Sequence, residues 1–220
     1  MPAHVLFTAK KNQIKMMKIR GFDVSPDSSL NEAEFKRKYE AIKGNQKSKA
    51  EYVNSLSKVY HGNGKTCSIV YMQPPSRSET ILLEHVRTFA TRIADELAAN
   101  QSNTAILITK KNLTSDGVGI INAFRGRVQH FTYFQLMFVP TDHILSFKIK
   151  PFSVQESEKI VQKERIKSIF MLPHIKVSDP VSKFYGLQPG QLVEIAKTNI
   201  TGPNIVNFDL NYRVVVPDEV

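Results

Sequence analysis

One segment of this 220-residue chain, Gly62-Asn63-Gly64-Lys65-Thr66, has the composition of a phosphate-binding loop. Such loops end in Gly-Lys-Thr, but they also need a glycine five residues before the last one, where this chain has Val59. They further need a strand before and a helix after, so that the amides of a helix N-terminus face the phosphate. Residues 67–72 are instead β-prone. The sequence therefore favours a hairpin or loop turn at this motif.

The single cysteine, Cys67, is the second candidate, because with His61 or His85 it could form a nucleophile and base. A lone cysteine within an apolar strand is more typical of a small buried hydrophobe, inert because nothing lowers its pKa. One cysteine also excludes an intrachain disulfide and a cysteine-based zinc site. This usage is typical of a reducing compartment, the cytosol or the nucleus.

Histidines and carboxylates are the remaining candidates for metal binding or catalysis. The six histidines lack the short spacing of a metal site such as His-Glu-x-x-His. A nuclease would need acidic clusters to hold Mg²⁺, yet Ile108 stands where an acid should precede Lys110 by two residues. We therefore predict no catalytic residue, no metal ligand and no cofactor.

The charge distribution points to a partner. Residues 1–140 hold 20 basic and 11 acidic side chains, a net charge of +9, whereas residues 141–220 hold 10 and 9, a net charge of +1. Such an excess in one part favours contact with a polyanion such as nucleic acid; the alternative is that solvated lysines only keep the protein soluble.

The composition and the apolar runs exclude other classes. With 41% hydrophobic and 23% charged residues, the chain is an ordinary globular one rather than a disordered or collagen-like one. Its longest apolar runs, such as 105–108 and 136–139, fall far short of the roughly 20 residues of a membrane span. Residues 1–15 lack the apolar core of a secretory signal. We therefore expect no membrane partner.

The first part alternates helices and strands, which predicts an α/β layer. We expect a helix at 6–20 ended by Gly21, and a second one capped by Asn31. The lysine-rich residues 43–58 indicate a poorly packed connection or a frayed helix. The remaining expected elements are a strand at 67–72, a helix at 79–100 capped by Ser78, a strand at 105–109, a turn at 110–116 with a possible short helix, and β-rich sequence at 128–139.

After Pro140 the pattern changes to that of a small α+β domain. The sequence Ser153-Val154-Gln155-Glu156 is a capping box that opens a helix to about residue 167. Asp179-Pro180 supplies a cap and a first-turn proline for a short helix that Gly186 closes. Strands are expected at 191–197 and 207–216, separated by a turn at 202–204. We therefore predict two domains, 1–140 and 141–220.

The C-terminal residues carry a resemblance. The motifs are Leu172-Pro173-His174-Ile175, Ser178-Asp179-Pro180-Val181, Tyr185-Gly186-Leu187 followed by Gly190, Val193 and Ile195, and finally Tyr212-Arg213. At these spacings the chain resembles the fifth, shared subunit of eukaryotic nuclear DNA-directed RNA polymerases, whose C-terminal domain is similar to a small archaeal polymerase subunit that consists of this domain alone.

The first part resembles the N-terminal jaw of the same eukaryotic subunit more loosely. The matching segments are Met17-Lys18-x-Arg20-Gly21-Phe22, Phe35-Lys36-x-Lys38-Tyr39, and Ala105-Ile106-Leu107-Ile108 leading to Asn112-Leu113-Thr114. A chain that carries a jaw resembles the eukaryotic or viral members of the family. Departures at Thr114-Ser115-Asp116-Gly117 and Leu145-Ser146-Phe147-Lys148 suggest a specialised copy, dedicated to one polymerase.

The resemblance implies a non-catalytic role. It implies an α/β jaw with a nuclease-like core without catalytic acids, and an assembly domain that docks on the largest subunit and contacts other polymerase subunits. It also implies a location in the nucleus, or in the nucleolus for a copy dedicated to the ribosomal RNA polymerase. The alternatives are a free basic nucleic-acid-binding regulator that shares this fold, and a nuclease or nucleotide-hydrolysing enzyme.

The resemblance also implies which residues carry these contacts. Residues expected near downstream duplex DNA, bound without sequence preference, are Lys110, Lys111, Thr114, Ser115, Arg125 and Arg127. Residues expected to serve subunit assembly are Pro173, Asp179, Pro180, Tyr185, Gly186, Gly190, Tyr212 and Arg213.

Overall fold

The chain forms two compact units, Met1–Phe138 and Val139–Val220, each with its own four-stranded sheet. A computed structural model describes residues 2–42, 46–62, 64–73, 83–99, 104–140, 142, 148–202 and 205–218. The predicted cap at Ser78, residues 145–147 and most of the turn at 202–204 lie outside these residues. No helix in this described part has the length and hydropathy needed to cross a membrane.

The first unit is built on a sheet with the strand order β1-β2-β3-β4. Strand β1 pairs antiparallel with β2, whereas β2, β3 and β4 are parallel. The strands of this unit are β1 (Lys58–Gly62), β2 (Lys65–Met72), β3 (Thr104–Thr109) and β4 (Val128–Thr132). Its helices are α1 (Ala3–Ile19), α2 (Glu32–Ala41), α3 (Gln46–Asn54), α4 (Leu83–Ala99) and α5 (Ser115–Asn122).

Helices α4 and α5 cover one face of this sheet. The helix predicted at 79–100 is confirmed over Leu83–Ala99, and four of its apolar side chains are buried with Val70 and Leu107 of the strands. These α4 residues are Val86, Phe89, Ile93 and Leu97. Neighbouring residues of a strand point to opposite faces, so Tyr71 projects from the other face. There the Tyr71 hydroxyl lies 3.4 Å from Gln13 Oε1 on α1.

Helix α3 covers much of the lysine-rich stretch, so the described part of it is helical, as one of the two predicted alternatives had it. Ala50 and Val53 are fully buried although the segment is rich in lysine. Of the two alternatives, the poorly packed connection was wrong for this helix, because two small apolar residues three positions apart are enough to bury one face of it. The helix prediction for 6–20 is confirmed with an earlier start at Ala3, and Gly21 adopts the expected left-handed conformation.

The β-rich sequence at 128–139 is a strand only as far as Thr132. Residues 133–138 form consecutive turns, in which the Leu136 amide donates to the carbonyls of Thr132 and Tyr133. The strand ends there because Thr132 and Gln135 close a turn: the Thr132 amide donates to Gln135 Oε1 at 2.9 Å, and the Gln135 amide donates to Thr132 Oγ1 at 3.3 Å.

The second unit has a sheet with the order β5-β7-β8-β6. Its strands are β5 (Lys148–Pro151), β6 (His174–Lys176), β7 (Leu192–Gly202) and β8 (Ile205–Val216), and its helices are α6 (Val154–Lys163) and α7 (Pro180–Tyr185). The capping box of Ser153 and Glu156 is confirmed. Helix α6 ends at Lys163 rather than near 167, because Arg165 has a positive φ of 52° that breaks the helical hydrogen bonding.

Candidate functional site

The described residues of the Gly-Lys-Thr motif lie where β1 and β2 pair antiparallel, which agrees with the hairpin that the sequence analysis favoured; Asn63 lies outside the described residues. Gly62 pairs with Lys65 where β1 turns into β2. A Cβ atom at Gly62 would lie 2.4 Å from the carbonyl oxygen of Gly21 and 2.6 Å from Cα of Phe22. Glycine is therefore needed at 62 because β1 lies directly against the chain that leaves α1, and this packing accounts for the residue without any phosphate.

Cys67 is fully buried within β2, and burial raises the pKa of its thiol although Thr104 and Arg20 act in the opposite direction. A thiol held protonated is a poor nucleophile. No group of three or more histidine, cysteine or acidic side chains arranged to hold a metal ion occurs among the described residues.

Lys110 and Lys111 leave β3 at the carboxyl edge of the parallel strands. With Asn112, Thr132 and Phe134 they line an open depression with a volume of about 480 Å³, which we call the β3–β4 depression. The hydroxyl of Thr109 donates to the carbonyl of Lys111 at 2.6 Å and lies 2.7 Å from Nε2 of His130 on β4. The backbone that carries the lysines is therefore fixed to the sheet.

The sequence analysis did not select Asn112, Thr132 or Phe134 of this depression as site residues, and Phe134 is the apolar one among them. Its side chain is 71% exposed, although it stands between the buried residues Tyr133 and Leu136. The turn is anchored, since the Tyr133 amide donates to the carbonyl of Thr109 at 3.0 Å and the Asn12 side-chain amide donates to the carbonyl of Leu136 at 2.8 Å. No signal in the sequence separates Phe134 from the apolar residues around it, because an unbroken apolar run also forms the buried strand β3.

Thr114 and Ser115 lie at the start of α5. The Thr114 hydroxyl oxygen accepts a hydrogen bond from the Gly117 amide at 3.3 Å and so caps the helix. Ser115 is exposed as the first helical residue. Asp116 follows in the first turn, where a carboxylate stabilises a helix. Thr114 thus has a structural role that the resemblance to the jaw did not suggest.

Arg125 and Arg127 lie at the opposite edge of the sheet from the lysine pair. They precede β4, whereas Lys110 and Lys111 follow the parallel strand β3. Five residues of strand at about 3.3 Å each separate the two edges by roughly 16 Å. Arg127 also donates to the carbonyl of Leu97 at the end of α4, at 3.3 Å. The structure therefore does not bring the two basic pairs into one site.

The predicted assembly residues around α7 define its two ends. Asp179 caps the helix by accepting from the amides of Val181 and Ser182 at 2.9 and 3.4 Å, and Pro180 occupies the first turn. Gly186 ends the helix with φ 69° and ψ 35°, in the left-handed region. Tyr185 packs against the core cluster of this unit. The predicted cap and stop are confirmed.

The other predicted assembly residues converge on the end of β8. The carbonyl of Pro173 accepts from the Val214 amide at 3.1 Å, and the Gly190 amide donates to the carbonyl of Val215 at 2.8 Å. Arg213 is the β8 residue before Val214, and the ring of Tyr212 lies 6.3 Å from that of Phe152, centroid to centroid. These residues shape the sheet rather than form a cavity.

Apolar side chains are nevertheless exposed in the second unit. Phe170 and Met171, directly before Leu172-Pro173, are 66% and 76% exposed, and Val154 at the start of α6 is 77% exposed. No residue of α6 is buried, although it is amphipathic. Sequence reasoning missed this surface, for which the apolar run 169–172 was the available signal.

A buried polar cluster, which we call the Lys10 cluster, ties together the elements of the first unit. Lys10 on α1 is 1% exposed and lies 3.3 Å from Asp27 Oδ2, and Asp27 also accepts hydrogen bonds from Tyr60 and Lys58. Burial lowers the pKa of Lys10 to about 8 even though the negative charge of Asp27 opposes this shift. Burial alone would raise the pKa of Asp27, but its bonds to Lys58 and Tyr60 and the charge of Lys10 lower it overall.

Comparison with known proteins identifies the class of the second unit. Residues 138–215 match the family described as RNA polymerase Rpb5, C-terminal domain. DNA-directed RNA polymerase subunit Rpo5 of Thermococcus kodakarensis is 36% identical over 77 residues, which cover 35% of this chain and 88% of that relative.

Similarity to eukaryotic proteins extends into the first unit. Subunit 5B of DNA-directed RNA polymerases IV and V of Arabidopsis thaliana is 23% identical over 199 residues, 87% of this chain and 83% of the relative. Subunit rpabc1 of DNA-directed RNA polymerases I, II, and III of Dictyostelium discoideum is 24% identical over 123 residues, 54% of this chain and 62% of that protein. The chain belongs to the Rpb5 family of RNA polymerase subunits.

Proposed function

We propose that this chain is a non-catalytic subunit of a multisubunit DNA-directed RNA polymerase in the nucleus. The observation that carries the proposal is the match over residues 138–215, together with a Thermococcus relative that this chain covers to 88% within that region. A relative made almost entirely of this domain bears the name of a polymerase subunit, so the domain alone can account for assembly into the enzyme.

In this proposal residues 141–220 are the assembly domain and dock on the largest subunit. Their near-neutral charge suits a protein interface, and Phe170 and Met171 offer apolar area next to Pro173. Interface cores are depleted in charged residues and enriched in phenylalanine and methionine. The caps at Asp179 and Gly186 then serve docking indirectly, by fixing the shape of α7.

Affinity purification of tagged variants tests the docking. Deleting residues 1–140 should leave co-purification with the largest subunit largely intact, and deleting residues 173–220 should abolish it. Because that second deletion also removes core strands, a Phe170→Ser, Met171→Ser double variant is the sharper test and should lower recovery of the largest subunit. Val154→Ser, an equally exposed change on α6, is the matched control. Assembly by residues 1–140 alone would reverse the roles of the two domains.

Residues 1–140 are proposed as the jaw that lines the downstream DNA cleft, with Lys110 and Lys111 touching phosphates of the duplex. The net charge of +9 and the fixed backbone beside β3 support this role. Phosphate contacts position a duplex without reading its sequence. Removing one lysine–phosphate contact should flatten the slope of log affinity against log salt by about 0.9.

The test of the jaw belongs in the assembled polymerase. A Lys110→Ala, Lys111→Ala double variant should crosslink less to downstream DNA and make the elongation complex less sensitive to salt. An Arg125→Ala, Arg127→Ala double variant removes the same charge at the opposite edge of the sheet and serves as the comparison. Unchanged crosslinks in the lysine variant, with fewer crosslinks in the arginine variant, would move the DNA contact to the amino edge of β4.

A free basic nucleic-acid-binding regulator is the second candidate, favoured by the concentration of positive charge in residues 1–140. The two functions differ in stoichiometry. A polymerase subunit is recovered in equal amount with the polymerase, whereas a regulator is recovered in variable and smaller amount.

A further inference from the structure

The β3–β4 depression combines two kinds of side chain that a duplex contact does not need together. Lys110 and Lys111 supply positive charge, and the exposed ring of Phe134 supplies an aromatic surface. Asn112 and Thr132 add an amide and a hydroxyl to the lining. In sheets with parallel strands, ligands bind beyond the carboxyl ends of the strands, which is where this depression lies.

The exposure of Phe134 is built into the fold. Tyr133 and Leu136 are almost completely buried, and the ring of Tyr133 stacks on Tyr71 with centroids 6.3 Å apart. The bond from Asn12 to the carbonyl of Leu136 ties the same turn to α1. With its neighbours held in the core, Phe134 projects outward from a turn that hydrogen bonds tie to β3 and α1. An aromatic ring fixed in this way loses little freedom when a ligand stacks on it.

A nucleotide with an unpaired base fits this arrangement better than the alternatives. A base inside a duplex is already stacked on both sides, so a duplex could reach the lysines only from the rim and would leave Phe134 unused. An unpaired base can stack on a phenyl ring whatever its sequence, while lysines track the phosphates. A protein partner would require a wider apolar area, whereas Phe134 is the single apolar side chain among the described residues that line the depression.

We propose that the β3–β4 depression binds an unpaired nucleotide of a single strand, with its base on Phe134 and its phosphates at Lys110 and Lys111. This inference rests on the nucleic-acid contact proposed above and specifies the form of nucleic acid that the concave part accepts. The jaw then holds a strand end, gap or displaced base next to the duplex that lies along its rim.

Fluorescence anisotropy of the full-length chain with labelled oligo(dT) of about 12 nucleotides, and with a duplex of the same length, tests this. Oligo(dT) should bind more tightly than the duplex at equal salt. Phe134→Ala should weaken oligo(dT) binding by about 5- to 150-fold, the loss of one stacked base, and leave duplex binding unchanged. Phe138→Ala, a change of an equally exposed phenylalanine outside the lining, is the matched control and should alter neither.

Further arms identify the source of the ligand. Lys110→Ala with Lys111→Ala should weaken both nucleic acids and flatten their salt dependence. If the ligand is a strand, excess thymidine monophosphate should compete poorly, because it offers only one phosphate. If thymidine monophosphate competed fully at concentrations near its own dissociation constant, the ligand would be a free nucleotide and the strand assignment would be overturned.

Several results would overturn the proposal: no measurable binding of oligo(dT) by the wild-type chain, equal binding of duplex and single strand, or equal effects of Phe134→Ala and Phe138→Ala. If a polymerase subunit no longer co-purified with the Phe134→Ala variant while oligonucleotide binding stayed unchanged, Phe134 would contact a protein instead of a base. A wild-type chain that does not co-purify with a polymerase contradicts the proposed function and leaves the oligonucleotide result standing, so the two failures are distinguishable.

Discussion

Removing the carboxylate of Asp27 should destabilise the first unit far more than its place in a short surface loop suggests. Among the described residues, Asp27 is the acidic partner of Lys10, whose side chain is 2% exposed. In Asp27→Asn the ammonium keeps neutral acceptors, namely Gln13 Oε1 at 3.0 Å, the carbonyl of Leu56 at 3.2 Å and the Tyr60 hydroxyl at 3.1 Å. A buried charge that loses its counter-ion costs about 3–5 kcal/mol.

The effect should be asymmetric. Lys10→Met removes the buried cation but leaves Asp27 bonded to Lys58 and Tyr60, so it should cost less than Asp27→Asn. The double variant Lys10→Met, Asp27→Asn should be more stable than the sum of the two single effects predicts, because no unpaired charge remains at this pair. This non-additivity separates a coupled ion pair from two independent packing defects.

Hydrogen exchange resolved by mass spectrometry measures the two units separately. A destabilisation of about 3 kcal/mol should speed exchange in β2 by roughly 150-fold, and exchange in β8 should not change. Glu32→Gln is the control, since it breaks an exposed ion pair with Lys36 at 2.6 Å and should leave β2 protected. The reasoning would be refuted if Asp27→Asn exchanged like wild type, or if Lys10→Met were the more damaging change.

The same cluster predicts how stability varies with pH. The pKa of Lys10 is about 8 in the folded chain and has its ordinary value of 10.5 in the unfolded chain. Between these two pH values the unfolded chain binds more protons than the folded one, so the free energy of unfolding should rise with pH. Burial raises the pKa of Tyr60 and of Tyr71 above 10.0, so stability should fall again once unfolded tyrosines ionise. Urea midpoints followed by circular dichroism check this, and a steady fall from pH 8 to 10 contradicts it.

Three further changes test the local structure by thermal or urea unfolding. Gly186→Val should destabilise the second unit by about 1–3 kcal/mol because a β-branched residue is strained at positive φ, and Gly186→Asn should be milder; equal effects would remove the left-handed helix stop. Gly62→Ala should destabilise the first unit because its Cβ overlaps the backbone of Gly21, whereas Gly119→Ala on open helix surface should be neutral or stabilising; the reverse order would contradict the packing. Ser153→Ala should cost about 1 kcal/mol because it removes a helix cap, and an unchanged stability would mean that water replaces the cap.

Local chemistry made much of the fold predictable. The caps at Asn31, Ser153 and Asp179 and the stop at Gly186 depend on residues within one helical turn, and all four occur as expected. The apolar repeat of α4 likewise depends only on helical periodicity. Strand β1 was missed because its burial pattern follows from pairing with β2 and from the approach of Gly21, which the isolated segment does not encode.

The candidate site was predictable only in part for the same reason. Lys110 and Lys111 could be selected because they are a pair of positive charges, within the basic part of the chain, at the loop that the resemblance places next to DNA. The β3–β4 depression, however, exists because parallel pairing brings the ends of two strands together, and Phe134 is turned outward by the burial of Tyr133 and Leu136. The Lys10 cluster could not be predicted either, since its ion pair joins Lys10 of α1 to Asp27, 17 positions later, and no periodic pattern links the two.

The most direct test of the account is quantitative mass spectrometry of the tagged full-length chain purified from its own cells at native expression. The chain should be recovered in equal amount with the largest subunit of a DNA-directed RNA polymerase, and this ratio should persist through a salt wash that removes loosely bound nucleic-acid-binding proteins. Recovery free of polymerase, or in a small amount that the wash removes, would contradict the assignment of the chain as a polymerase subunit.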